Sequence, residues 1–195
     1  HVAEEMTRAS AKYYNIKLKG KFNICYDCAL AKARQTNLGH VMDEKRSNIP
    51  GERLSFDISS IKTISFGGSK FWLLIVDEAT DYCWSYFLKS KGDSKQKVIE
   101  LIMDLKNKWS INVKFLRCDN SGENMKLEKL CREQGLGVTF EFVAPYTPQQ
   151  NGKVKRKFAT LYGRIRATMN SAKLPDNMQQ KLWAECANYV TANDV

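Results

Sequence analysis

Apolar and polar positions alternate with a period of two across Arg53–Ser60, where Leu54, Phe56 and Ile58 interleave with Ser55, Asp57 and Ser59. That is the signature of a strand with one buried face. Lys70–Asp77 carries the apolar run Trp72-Leu-Leu-Ile-Val and reads as a second strand. Tyr82–Leu88 is a third, aromatic strand, with Gly67-Gly68 in the loop before the second strand and a tight Asp77–Asp81 connection before the third. The period then changes. Val98, Leu101, Ile102, Leu105 and Trp109 recur at helical spacing over 94–109. A strand over 113–118, a short helix over 123–134 and a strand over 138–142 follow. Helix 151–170 has an apolar stripe of Val154, Phe158, Leu161, Tyr162, Ile165 and Met169, and a last amphipathic helix is predicted over 177–192. Three meandering strands followed by α-β-α-β predict an α/β fold, a mixed sheet with helices on both faces.

Charge changes the picture. The chain carries +10 net with a sequence pI near 9.3, although its 43% apolar and 27% charged residues are ordinary for a globular protein. The excess gathers at 8–46 and 153–173, which favours a polyanionic partner such as nucleic acid. On helix 151–170, Lys153, Lys155, Arg156, Lys157, Arg164 and Arg166 have no acid four residues away to pair with. The chain lacks any run of 18 apolar residues, and residues 1–24 lack the apolar core of a signal peptide. The six cysteines are scattered, four of them in apolar segments, and read as reduced thiols of an intracellular protein. The sequence starts at His1 and stops inside a helical pattern, and it reads as a piece of something longer.

Candidate chemistry centres on two acids. Asp119 closes the strand Val113-Lys-Phe-Leu-Arg-Cys and precedes the turn residues Asn120, Ser121 and Gly122, while Asp57 sits within the first strand. Two strand-borne aspartates side by side form a hard-oxygen site suited to Mg²⁺ or Mn²⁺. A lone strand aspartate more often pairs with arginine or caps a turn. Four segments tip the balance: Phe56-Asp57-Ile58, Trp72–Asp77 with Asp81-Tyr82, Asp119-Asn-Ser-Gly-Glu-Asn124, and Pro145-Tyr-Thr-Pro-Gln-Gln-Asn-Gly152. In order and spacing over 52–170, with Leu182–Asn188 after them, they resemble the integrase region of copia-type retrotransposon polyproteins. Those share an RNase H-like core with retroviral integrases.

The resemblance implies hydrolysis at a DNA 3′ end and transfer of the freed strand to target DNA, with transposon ends and target as partners and a homo-oligomer as the acting form. It also implies a nuclear location or a cytoplasmic particle. The chemistry is two-metal phosphoryl transfer, with ions about 4 Å apart held by three acids. Asp57 would bridge both ions, Asp119 would hold one, and a glutamate with 35 residues between it and Asp119 would hold the other. That place is Lys155, in the frame Asn151-Gly-Lys-Val-Lys155-Arg-Lys157. A protonated lysine cannot ligate a metal and repels the second ion. An ion pair from Lys155 to Asp57 or Asp119 would occupy the oxygens that a metal needs. The expectation is therefore an integrase-type core with catalysis lost or impaired; the alternative is a catalytically dead nucleic-acid-binding or assembly module, a transposon remnant. Rescue by Glu123 or Asp77 is not expected. Tyr146, Gln149, Asn151, Lys153, Arg156, Lys157 and Arg164 are the candidate DNA contacts, with an ordinary helix N-cap as the plainer role for Asn151.

Upstream, Cys25-Tyr-Asp-Cys28 is half of a zinc site in a basic segment that is too polar to fold on a core of its own. The family places a His-His-Cys-Cys module there, and His1 matches its second ligand, so an incomplete Zn²⁺ set of His1, Cys25 and Cys28 is implied. His40 either completes a set with Cys25, Cys28 and water or is a plain loop residue. A zinc-knuckle binder with the core as scaffold is a third reading. The predicted organisation is a truncated zinc-binding segment at 1–34, a linker at 35–51 ending in the turn Pro50-Gly51, and the core from 52 to 195.

Overall fold

The structure, a computed structural model, describes residues 4–20, 47–143 and 151–194, with side chains in the first stretch from residue 8. The chain divides into two units, His1–Glu44 and Lys45–Val195. In the first, α1 (Glu4–Tyr13) ends where the Ile16 amide donates back to the Ala11 carbonyl and Tyr13 packs edge-on against Tyr14. The candidate zinc ligands His1, Cys25 and Cys28, with His40, lie outside the described residues.

In the second unit the strands β1 (Arg53–Ser60), β2 (Phe71–Asp77), β3 (Cys83–Leu88), β4 (Phe115–Asp119) and β5 (Thr139–Val143) form one sheet in the order β3-β2-β1-β4-β5. The first three strands are the expected antiparallel meander, and β4 joins β1, and β5 joins β4, in parallel. The helices are α2 (Ser94–Trp109), α3 (Gly122–Glu133), α4 (Gly152–Ser171), α5 (Asp176–Lys181) and α6 (Trp183–Ala192), with a 3₁₀ turn at Lys91–Asp93. This is the RNase H-like arrangement that the order of elements predicts.

Alternation in the strands sorts the core into two layers. Leu54, Phe56, Leu73 and Ile75 pack with Val98, Leu101, Ile102 and Leu105 of α2 and with Leu127 and Cys131 of α3. Trp72, Leu74 and Val76 point the other way, onto Val154, Phe158 and Leu161 of α4 and Trp183 and Ala187 of α6. Trp72 is fully buried, edge-on to Phe158 and Tyr162 at centroid distances of 5.0 and 5.2 Å. Its indole N–H donates to Ser85 Oγ at 2.8 Å, so the polar atom of the largest core residue is satisfied.

Two local features depart from the sequence pattern. The helix expected over 177–192 is two helices, because the chain breaks at Leu182. There the Lys181 carbonyl accepts the Phe66 amide from the β1–β2 loop and the Trp183 indole donates to the Thr63 carbonyl, contacts that a periodicity argument does not see. Strand β4 begins two residues later than expected, since the Lys114 and Phe115 amides both donate to the Glu52 carbonyl. The predicted Pro50-Gly51 turn is present. Gly51 has φ +74°, its amide donates to Asp77 Oδ1 at 3.0 Å, and a Cβ there would meet Ile111 Cγ2 at 2.3 Å.

Replacing Trp72 with alanine is expected to lower the unfolding free energy by about 3–5 kcal/mol in a urea titration, through lost burial and the cavity left between β2 and α4. A loss below about 1 kcal/mol would contradict this account of the layer.

Candidate acid cleft and its basic helix

Asp57 and Asp119 reach the same face of the sheet by strand arithmetic. The parallel register pairs Leu54 with Leu116 and Ser55 with Arg117, so two residues further on the strands carry Asp57 and Asp119 side by side. The pairing stops at Ser55 and Arg117, and the strand ends diverge into a cleft. Its lining is Asp57, Asp119, Ser121, Glu123, Asn124 and Lys91 beside Phe56 and Ile58, around about 120 Å³. The Asn124 side chain fixes Asp119, donating to both its carbonyl and Oδ1. Asp57 Oδ1 accepts its neighbour's amide, Ile58 N, at 2.8 Å.

Beneath the acids, on the same sheet face, lies a buried charge lattice that the sequence reading missed. Arg53 pairs with Glu78 and Glu141, each at 3.1 Å, and Arg117 pairs with Glu141 at 2.7 Å and Glu78 at 3.5 Å. In the sequence Arg53 and Arg117 stand at the polar positions that alternate with the buried Leu54 and Leu116, so nothing marked them as buried. The pairs join β1, β4 and β5 to the end of β2. Removing one partner would strand the others in a poorly solvated place, so the lattice resists changes of register.

Burial pushes the Asp57 carboxyl above its usual range. Asp119 adds to the rise, and the Ile58 amide, Lys155 and Lys91 oppose it. Of the cations on α4, Lys155 is the one whose charge registers at Asp57, yet among the described residues it forms no ion pair with Asp57 or Asp119. Lys155 is exposed, and the ion pair that would have occupied the metal-binding oxygens is not formed.

The basic helix divides its charges. Lys153, Lys157 and Arg164 fall on one stripe of a 3.6-residue helix, and all three are engaged away from the cleft. Lys153 pairs with Asp81 at 2.9 Å and donates to the Glu78 carbonyl, while Lys157 and Arg164 both hold Asp194. Burial works against ionisation of Asp194, but these two cations hold its carboxyl below the usual range. Their partners are far along the chain, so the absence of i, i+4 acids on the helix left them invisible. Lys155 and Arg156 are exposed. Asn151 stands at the start of α4, but its side chain makes no capping bond. It is buried, and Nδ2 donates to the Phe56 carbonyl at 3.3 Å, tying the helix to β1 beside Asp57. Tyr146 and Gln149 lie outside the described residues.

The other acids sort clearly. Asp77 is buried and accepts the Gly51 amide and the Thr80 amide and hydroxyl, which leaves it a structural role. Glu123 lines the cleft, a convergence that sequence reading did not foresee, and pairs with Lys95 at 3.2 Å. Among the described residues no three acids, histidines or cysteines come close enough to share a metal ion. Asp57 and Asp119 are the adjacent carboxylates that would hold a single divalent cation. The second ion of a two-metal site does not fit, since its remaining ligand would be Lys155. A larger cavity of about 480 Å³, lined by Gly51, Asp77, Trp84, Leu105 and Asp194, sits at the opposite end of β2 and includes neither Asp57 nor Asp119. The four described cysteines are free and buried, and burial pushes the Cys83 and Cys131 thiols up to about 11. No helix among the described residues is long and apolar enough to cross a membrane.

A carboxyl whose folded pKa is raised holds more protons folded than unfolded, so it costs stability above that pKa and the cost disappears on acidification. Asp57→Asn is therefore expected to raise the melting temperature at pH 7 and to lose that advantage as pH falls into the carboxylate range. A stabilisation independent of pH would contradict the desolvated setting of Asp57.

No protein-family model matches the chain. It is 28% identical over 163 residues to the retrovirus-related Pol polyprotein from transposon TNT 1-94 of Nicotiana tabacum, covering 83% of this chain and 12% of that polyprotein. The Pol polyprotein from transposon RE1 of Arabidopsis thaliana is 28% identical over 137 residues, covering 70% of this chain and 9% of the relative. The chain thus spans about a tenth of the length of the curated relatives it matches. A chain of the simian T-cell lymphotropic virus intasome, solved in complex with PP2A regulatory subunit B56 gamma, shares the fold. Its TM-score is 0.56 at 16% identity, over 82% of this chain and 55% of that one. Sequence relatives and fold point the same way: the chain is similar to a part of retrotransposon Pol polyproteins and shares its fold with a chain of a retroviral intasome.

Proposed function

We propose that the chain is a DNA-processing core of the integrase type in which strand cleavage and transfer are impaired at one position. The observation that supports this most is the cleft itself: Asp57 and Asp119 are side by side, and the cation of α4 whose charge acts on Asp57 is Lys155. A divalent ion held there would supply Lewis-acid stabilisation to a phosphoryl oxygen. The chain's own residues do the rest. Asp57 and Asp119 hold the cation, and Asn124 fixes the orientation of Asp119. Asn151 anchors the start of α4 to β1, which sets the distance between Lys155 and the acids.

With lysine at position 155 the third carboxylate is missing and a cation stands near where a second metal would bind. An ammonium suits a DNA phosphate and repels a metal ion. The chain accordingly binds DNA ends better than it cuts them, and a binding or assembly role is the reading that follows if cleavage is wholly absent. Transposon ends and target DNA as partners, and action as a homo-oligomer, belong to the same proposal.

The test is Mn²⁺-dependent cleavage of a DNA end by this chain beside Lys155→Glu. The glutamate variant is expected to cut faster by on the order of 10²- to 10³-fold, the scale of restoring one well-placed electrostatic group. Equal cleavage by the two proteins would show that position 155 is not the missing ligand.

A further inference from the structure

The basic surface does not end at α4. The β1–β2 loop, Ile61–Lys70, contains no acid and presents Ile64 and Phe66 at its tip, 55% and 58% exposed. It is not a loose loop. Ser65 and Ser69 close it with reciprocal bonds, Ser65 N to the Ser69 carbonyl at 2.9 Å and Ser69 N to Ser65 Oγ at 3.0 Å. The Phe66 amide donates to the Lys181 carbonyl and the Trp183 indole to the Thr63 carbonyl, at 2.9 Å each, so the tip is fastened to α5 and α6.

Lysines surround this tip in a continuous line. Lys181 Nζ lies 5.8 Å from the centroid of the Phe66 ring. A Cβ at Gly68 would lie 3.4 Å from Lys89 Cε, which places that side chain against the loop. Lys70 N donates to the Leu88 carbonyl, and three residues beyond Leu88, Lys91 Nζ stands 5.8 Å over the Phe71 ring. Lys91 also lines the acid cleft and lowers the cost of ionising Asp57. The line therefore runs from the cleft through Lys91, Lys89 and Lys70 to Phe66 and Lys181, along the sheet edge where β1 ends and β2 begins. These four lysines, and Lys62 in the same loop, are all exposed, and none of the five forms an ion pair among the described residues.

Unpaired cations of one sign repel each other and keep their hydration until a polyanion releases the counterions. An exposed aromatic within that line adds a face on which a base can stack, the combination found where single strands are bound. From this geometry we infer a second DNA contact surface: a strand whose end lies at the acid cleft runs over Lys91, Lys89 and Lys70, a base stacks on Phe66, and Lys181 meets the phosphate beyond. The inference rests on the DNA-processing reading above and extends it to residues outside α4.

The experiment measures binding of a fluorescent duplex with a single-stranded 3′ tail across a salt series. The chain is compared with the triple variant Lys70→Ser, Lys89→Ser, Lys181→Ser, with Phe66→Ser, and with the control Lys106→Ser, Lys108→Ser, Lys129→Ser, which removes equal charge from α2 and α3. The track triple is expected to bind about tenfold or more weakly at low salt and to lose about 2–3 from the log–log salt slope, well beyond the control. Phe66→Ser is expected to weaken the tailed duplex about tenfold and a blunt duplex far less. If the track triple behaves like the control, the inference falls while the DNA-processing reading stands. If the unchanged chain binds no DNA at all, both fall. If polyglutamate displaces the DNA as well as unlabelled DNA does and Phe66→Ser has no effect, the surface is a site for acidic protein and the inference is overturned.

Discussion

Everything distinctive about this chain depends on the parallel pairing of β1 with β4. Three register pairs, Arg53 with Phe115, Leu54 with Leu116 and Ser55 with Arg117, decide that Asp57 and Asp119 end up adjacent. A slip of one residue would turn one acid into the apolar layer under α2. The register is held from both faces. Leu54, Phe56 and Leu116 are buried on one side, and on the other Arg53 and Arg117 share Glu78 and Glu141. Parallel pairing joins segments far apart in sequence and so carries a larger loop-closure cost than the meander of β1 to β3. The charge lattice adds specificity to a contact that backbone bonds alone leave loosely defined.

Much of this was legible in advance, for physical reasons that name themselves residue by residue. Strand periods in 53–60 and 72–76 and the helical stripe from Val98 to Trp109 are local properties of side chains, and they produced the mixed sheet with helices on both faces. Asp57 and Asp119 were legible as a pair because they lie within and at the end of strands and the segments around them stand in the order and spacing of the family they resemble. What escaped was set by distant contacts. The break at Leu182 depends on a carbonyl used by Phe66, and the quenching of Lys157 and Arg164 depends on Asp194. The side chain of Asn151, a cap residue by type, turns instead to the Phe56 carbonyl.

Partitioning of the positive charge follows from the same geometry. Basic residues on one stripe of α4 serve the fold, tying it to the β2–β3 turn and to the end of α6. Lys155 is left exposed, and its charge opposes the rise that burial and Asp119 impose on the Asp57 carboxyl. With lysine at position 155 the site is electrostatically closer to neutral than a cleft with three acids would be, and on the reading proposed above it would take one divalent ion rather than two.

The most direct measurement is the stoichiometry of Mn²⁺ binding by calorimetry, for this chain and for Lys155→Glu, each with and without Asp119→Asn. The account predicts no more than one weakly held ion per chain, lost with Asp119→Asn, and a second ion gained only when position 155 is glutamate. Two ions bound by the unchanged chain through these acids would contradict it.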